Sequence, residues 1–424
     1  MTTERTNARV SGLQLWLVNA YWPGLAFMWN SLHLILLPAI LLEFVDDARK
    51  NTALGLLTFI GLVIAMVVQP GSGALSDAWV TRFGRRRPLI LIGTAFDLIF
   101  LALIGTATNL SMLALGYIGL QFTSNLAHGP AQGLMHDRVP PEQMGLASGV
   151  KSFLDMAGLV VSSLAVGRLL SPENPEPLGV VALVAGILLL GALLVIAGVR
   201  ESVPEAGTAG GGWPARMRAA FRIDWQANAA YWRLIGSRML FLLGIYGIQA
   251  FAQYYVRDTL ETDNPVKLTG DLLATIVLTL IVFSIVAGYL CDRFGRRPLH
   301  AVAAVLTAVG SLLMLAAHTP AMVLAFGSVI GAGIGVFVTA NWALANDLAP
   351  SGEAGKFLGL TNLATAGAGA ISRLTGPGLD WLNAIRPGQN LGYAALFIGG
   401  AILSLASLLA LRRVPEGLAR PASA

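Results

Sequence analysis

From residue 15 to residue 411 the sequence is a succession of twelve apolar runs. They lie at approximately 15–44, 52–75, 88–107, 111–135, 149–170 and 178–199, then 230–257, 268–290, 298–317, 320–346, 357–383 and 391–411. Each is roughly 20–30 residues long, enough to cross about 30 Å of hydrocarbon at about 1.5 Å per residue. Only helices and closed barrels satisfy their backbone in lipid, and these runs lack the period-two alternation of barrel strands. Composition agrees: 12% of the residues are charged and 55% hydrophobic, where soluble domains are about a quarter charged. The sequence therefore predicts an all-α membrane protein with twelve transmembrane helices, its lipid bilayer serving as solvent. The net charge of +5 comes from short clusters between apolar runs rather than a basic face, which argues against nucleic-acid binding. A lone Cys291 excludes an intramolecular disulfide and a cysteine metal cage.

The polar start, "MTTERTNARVSG", leads into an apolar run longer than a signal-peptide core and without a small-residue cleavage site, so a retained first helix is expected. Basic residues then set the orientation. Arg49, Lys50, Lys267 and Arg386 fall in the loops on one side, and Arg168, Arg238, Arg257 and Arg373 within helices or at their ends. The other 20 of the 28 lie on the opposite side, which places both termini in the cytoplasm. Between the sixth and seventh runs, "GTAGGG" reads as a flexible linker. Trp213, Met217, Phe221 and Trp225 follow at spacings of four, interleaved with arginines; that pattern fits either a helix on the membrane surface or a solvated connector. The expected organisation is a six-helix bundle at 1–199, a linker at 200–229, a second bundle at 230–411 and a tail at 412–424.

The halves repeat one another. "SDAWVTRFGRRRP" (Ser76 to Pro88) returns in shorter form as "CDRFGRRP" (Cys291 to Pro298). Asp137, Pro140, Gly145 and Gly149 match Asp347, Pro350, Gly355 and Gly359 at one constant offset. Two like-oriented repeats predict a 6+6 arrangement about a pseudo-twofold along the membrane normal. Gly288, Asp292, Gly295, Arg296 and Arg297 form G-x-x-x-D-x-x-G-R-R, echoed by Gly73, Asp77, Gly84, Arg85 and Arg86. This doubled loop resembles the signature of the major facilitator superfamily, and the likeness extends over nearly the whole chain. The longer first loop, and "NLAHGPAQGLMHD" (Asn125 to Asp137), further resemble the sucrose and glycoside cation-symporter branch. The chain departs from that branch where its coupling pair would stand. The family's arginine two residues after Gly-Pro is Gln132 here, and its aspartate eleven residues earlier is Gln121. The resemblance implies transport and a sugar-like solute, while that particular pair cannot couple protons.

Candidate residues follow. Asp77, Arg85, Arg86 and Asp137 in the first half, and Asp292, Arg296, Arg297 and Asp347 in the second, are expected to form a cytoplasmic gate. Asp137 is paired with Arg86, and Asp347 with Arg297. The alternative is that these charges only fix topology. On ideal helical projection Asn19, Trp22, Asn30 and His33 share one face of the first helix. Tyr117, Gln121, Asn125, His128 and Gln132 share one of the fourth, and Arg238, Tyr246, Gln249, Gln253 and Arg257 one of the seventh. Thr339, Trp342 and Asn346 make a weaker stripe on the tenth. The resemblance implies that these four helices line a substrate cavity; the alternative is interhelical hydrogen bonding. Neutral amides with Trp and Tyr suit a small polar solute such as a sugar, and Arg238 and Arg257 leave a sugar acid open. Asp97, about 13 Å into the third helix at helical rise, is the proton-coupling candidate, with pairing to a neighbouring helix as its alternative. Asp155 is instead expected to pair with Lys151, and Arg373 with Asp380.

No nucleophile–base pair or metal cluster is visible, so neither catalysis, a metal nor another cofactor is expected. The reading is a monomeric secondary transporter of a bacterial inner membrane, moving a sugar or glycoside by alternating access, with protons as the coupling ion. An exporter, a uniporter or a non-transporting scaffold of the same fold is the alternative.

Overall fold

The computed structural model describes residues 9–170, 177–201, 226, 228–349, 354–412 and 414. The surface helix expected at 213–225 lies outside these. Among the described residues no strand forms. The first run is broken into α1 (Gly12–Asn19), α2 (Trp22–Ser31), a π-helical turn at Leu32–Leu36, and α3 (Leu37–Leu41). Long helices follow: α4 (Lys50–Ala78), α5 (Arg87–Gly105), α6 (Leu110–Arg138), α7 (Met144–Leu169) and α8 (Pro177–Gly198). Then come α9 (Ala229–Ala250), α10 (Ala252–Thr259), α11 (Pro265–Phe294) and α12 (Arg296–Leu313). The last are α13 (Pro320–Leu348), α14 (Ala354–Arg373), α15 (Gly376–Ile385) and α16 (Leu391–Leu411).

Among the described residues nine helical segments are long and apolar enough to cross a membrane, or ten if α9 and α10, bent by 50°, form one span. Long as it is, α6 is not one of them, because the face from Tyr117 to Gln132 makes it too polar. The helix starts carry the local signals expected of them. Asn109 Oδ1 accepts from the amide of Met112 at 2.9 Å to cap α6, and Asn264 Oδ1 accepts from Lys267 at 2.8 Å to cap α11. Pro320 follows the capping Thr319 at the start of α13, where a missing N–H costs nothing.

The chain divides into two compact units, Met1–Leu36 with Ile60–Gly210, and Leu37–Phe59 with Gly211–Ala424. This grouping cuts across the contiguous 1–199 and 230–411 division, since α3 and the first ten residues of α4 belong with the later helices. The cause is local packing in the second unit. A Cβ on Gly55 would overlap the carbonyl oxygen of Arg373, and one on Gly376 the carbonyl oxygen of Asn51. Only glycine lets these backbones approach so closely, as small residues do wherever helices pack in lipid.

In the first unit α5 lies on α6, with Gly93 against the backbone at Thr123. In the second, α13 lies on α11, with Gly331 and Gly335 facing the carbonyls of Ile276 and Leu280. The apolar residues left outside are as informative as the core. Leu278, Val282, Ile285 and Tyr289 form an exposed stripe along α11. A soluble protein would bury such a stripe, and a bilayer solvates it. The chain is an integral membrane protein.

Candidate functional site

In the first unit, a buried polar chain is built on α6. The Tyr117 hydroxyl lies 2.8 Å from His33 Nε2 and accepts from Gln121 Nε2 at 2.7 Å. Gln121 Nε2 is also 3.1 Å from His33 Nε2, and Asn125 Nδ2 donates to the Gln121 carbonyl at 2.7 Å. His33 stacks on Trp29, with ring centroids 5.0 Å apart. It stands in the π-helical turn, a distortion that recurs at functional sites. Gly61 of α4 leaves the space that the Tyr117 ring fills, for a Cβ there would lie 2.5 Å from its hydroxyl. A second group lies further along α6. Trp22 meets His128 edge-on at 5.1 Å, and the Lys151 ammonium sits 3.8 Å above the Trp22 ring. Lys151 pairs with Asp155 at 2.7 Å, as expected, and Gln132 Nε2 lies 3.3 Å from His128 Nε2. Residue typing alone gave no sign of Lys151 against Trp22, which are far apart in sequence.

Two members of the first-helix stripe go elsewhere. Asn19 Nδ2 donates to the carbonyls of Leu15 and Ala147, at 2.9 and 3.2 Å. Asn30 Nδ2 donates to Ser162 and Ser163, at 2.7 and 2.9 Å. Both tie their helix to α7, so they follow the interhelical alternative. The first run is interrupted between α1 and α2 and again at the π turn, so Asn19, Trp22, Asn30 and His33 do not lie on one continuous α-helix.

Asp97 is fully buried in α5. Thr123 Oγ1 donates to its Oδ1 at 2.5 Å, while its Oδ2 has no hydrogen-bond partner among the described residues. The Tyr21–Thr94 hydroxyl pair, at 2.9 Å, is one helical turn away.

At the far ends of α4 and α6, Arg86 bridges Asp77 at 2.6 Å and Asp137 at 2.9 Å. Arg85 meets Asp137 at 2.6 Å. Glu201 was not anticipated. Its carboxylate accepts from the backbone amides of Arg85, Arg86 and Arg87 at 2.7–3.2 Å, capping the start of α5. Gly84 makes this possible twice over: its φ is +104°, and a Cβ there would overlap the Glu201 carboxyl. A signal was available in the first acid after the sixth run, but its target was not.

The second unit treats its copy of the loop differently. Asp347 pairs with Arg296 at 2.8 Å rather than with Arg297. Arg297 instead donates to the Arg412 carbonyl at 3.2 Å, and exposed Asp292 makes no ion pair among the described residues. The shorter loop goes directly from Gly295, at φ +86°, into α12, so Arg297 leaves on another side of the helix.

The polar faces of this unit centre on Arg238 of α9. Its Nε donates to Thr365 Oγ1 at 2.9 Å and its Nη1 to Asn341 Oδ1 at 2.6 Å, with the guanidinium 5.6 Å from the Trp342 ring centroid. Gln253 is buried in α10, and Tyr246 packs beside Gly369. Gln249 is half-buried and Asn346 exposed, its amide turned back to the Trp342 carbonyl at 2.9 Å. Thr339 bonds Ser284 and Gly335 carbonyls, so it serves α11 packing. Arg257 is drawn out of the stripe by a two-pronged bond to Asp47 at 2.7 and 3.1 Å. Beside it, Lys50 meets Asp258 at 2.6 Å, and Asp380 accepts four bonds from Asn51 and Thr52, at 2.6–3.3 Å. The start of α4 is thus capped by a carboxylate of α15. Among the described residues no group of three or more His, Cys, Asp or Glu side chains could hold a metal ion.

Comparison with known proteins agrees with this architecture. The fold is shared with a D-xylose-proton symporter, at a TM-score of 0.72 and 17% identity over 97% of this chain and 100% of that one. A nucleoside transporter gives 0.73 and 14% over 95% and 99%. Among curated proteins, a probable inositol transporter of Arabidopsis thaliana is 27% identical over 129 residues, 30% of this chain and 22% of that protein. A sucrose transport protein of the same plant is 29% identical over 112 residues, 21% and 19%. The matched segments thus span about a fifth of those relatives. The family model described as MFS/sugar transport protein matches residues 23–379, nearly the whole length, and the chain belongs to that family.

Proposed function

We propose that this protein is a secondary transporter that moves a small polar solute, a sugar or glycoside, by alternating access. The observation that carries the reading is the His33–Tyr117–Gln121–Asn125 chain, a run of hydrogen-bonding side chains buried among the helices of the first unit. Such groups are costly in hydrocarbon and suit a hydroxylated solute that exchanges bonds with them. The sucrose, inositol and xylose transport named for its relatives and structural neighbour supports the same class. Twelve spans in a 6+6 arrangement, both termini in the cytoplasm of a bacterial inner membrane, and a monomer complete the proposal. The Asp77–Arg86–Asp137 and Arg296–Asp347 pairs hold the cytoplasmic ends of their helices, and breaking them accompanies the change of state.

Protons couple through Asp97. Its Oδ2, without a hydrogen-bond partner among the described residues, can take up and release a proton, which Gln121 and Gln132 cannot. The test is uptake of labelled sugars into proteoliposomes with and without an inward proton gradient. Accumulation with the gradient and equilibration without it is expected; no uptake, exchange or binding across a broad panel would end the transporter reading.

A further inference from the structure

Arg238 stands out among the cationic groups inside this membrane protein. It is only 8% exposed, and among the described residues no carboxylate lies within 4.0 Å of it. Its described partners are neutral: Thr365, Asn341 and the face of Trp342. Arg257, the other arginine of the same face, is already neutralised by Asp47. A buried guanidinium held by neutral groups leaves a positive charge uncompensated in a low-dielectric place, which is expensive unless an anion arrives. A second orphan lies beside it. Asn341 is fully buried and turns its Oδ1 to Arg238, and among the described residues its Nδ2 has no hydrogen-bond partner. One cationic fork and one free amide N–H within a single cluster are the donors that a carboxylate accepts.

We propose that Arg238 and Asn341 bind the carboxylate of the transported solute, which is therefore a small hydroxylated monoanion of the sugar-acid class. The inference rests on the transporter reading and deepens it. One guanidinium balances one negative charge, so a carboxylate fits and a phosphate dianion does not. The Trp342 ring beside the guanidinium supplies a flat apolar face for a sugar ring, and Thr365 holds the arginine side chain in place through Nε.

The experiment measures binding of matched pairs to the purified full chain: glucose and glucuronate, galactose and galacturonate, xylose and xylonate, with glucose 1-phosphate as a third arm. At least one acid is expected to bind roughly thirtyfold or more tightly than its neutral partner, the effect of a buried charge pair. Arg238→Gln removes that preference, whereas Arg238→Lys keeps part of it. The comparison within the wild-type protein needs no variant to fold. Equal affinities across all pairs, tighter binding of glucose 1-phosphate than of the acids, or a preference that survives Arg238→Gln would each overturn the carboxylate site. Proteoliposome uptake separates the two readings. Neutral sugars that enter while their acids are excluded refute the acid class and leave the transporter standing. Acids that bind by way of Arg238 yet never cross refute the transporter and leave the site standing.

Discussion

Tyr117 has one hydroxyl shared by His33 and Gln121, which makes it the joint of the first unit's polar chain. Tyr117→Phe keeps the ring that fills the space opposite Gly61 and removes the joint. We expect it to raise the KM for the transported solute about tenfold, as the loss of one buried hydrogen-bonded group does, with thermal stability little changed. A KM equal to wild type would remove Tyr117 from the substrate path. Asp97→Asn is nearly isosteric and keeps an acceptor for Thr123, but it cannot exchange a proton. Gradient-driven accumulation should be lost while solute counterflow at equal pH persists; accumulation that continues would place coupling elsewhere. These residues were legible in the sequence because a polar side chain in an apolar run is conspicuous. Other contacts were not legible, since those of Lys151 with Trp22 and of Glu201 with the start of α5 join residues more than a hundred positions apart.

Helical elements fared according to how regular they are. The α6 stripe could be read by ideal periodicity because the helix runs unbroken from Leu110 to Arg138. In the first run a break and a π turn interrupt that periodicity, and Asn19 and Asn30 bond to α7. Helix ends show the same dependence on context. The start of α4 takes a cap from Asp380 of α15, whose expected partner was Arg373. Asp380→Ala should destabilise that end by about 2 kcal/mol, the scale of a lost cap strengthened by charge. Hydrogen exchange checks it: protection at the Thr52 amide should fall while mid-helix amides keep theirs. Gly84→Ala adds a Cβ where φ is +104° and where Glu201 already lies. A loss of about 1–3 kcal/mol should appear as a lower unfolding temperature, and an unchanged one would mean that the α5 cap does not matter to stability.

For the whole molecule, the arginine bias makes a prediction that is independent of any site. Single cysteines placed at Arg82 and at Arg386, in a background lacking Cys291, should react with a membrane-impermeant reagent from opposite faces, Arg82 from the cytoplasmic one. Labelling of both from one side would overturn the proposed topology. The apolar runs, the doubled Asp–Gly–Arg–Arg loop and the constant offset between halves were sufficient for the membrane class, the helical architecture and the family. Each is a one-dimensional property, since lipid demands apolar length and internally satisfied backbone whatever the neighbours are. Tertiary structure alone decided how the repeats differ. The first loop is locked by Asp77, Asp137 and Glu201, while in the second, among the described residues, Arg296 pairs with Asp347 and Arg297 turns to the Arg412 carbonyl. Packing also moved residues 37–59 into the unit of the later helices. Such outcomes depend on which surfaces meet in three dimensions, through glycine contacts at Gly55 and Gly376 and a carboxylate reaching across from Asp380, and no pattern along the chain encodes who the neighbour will be.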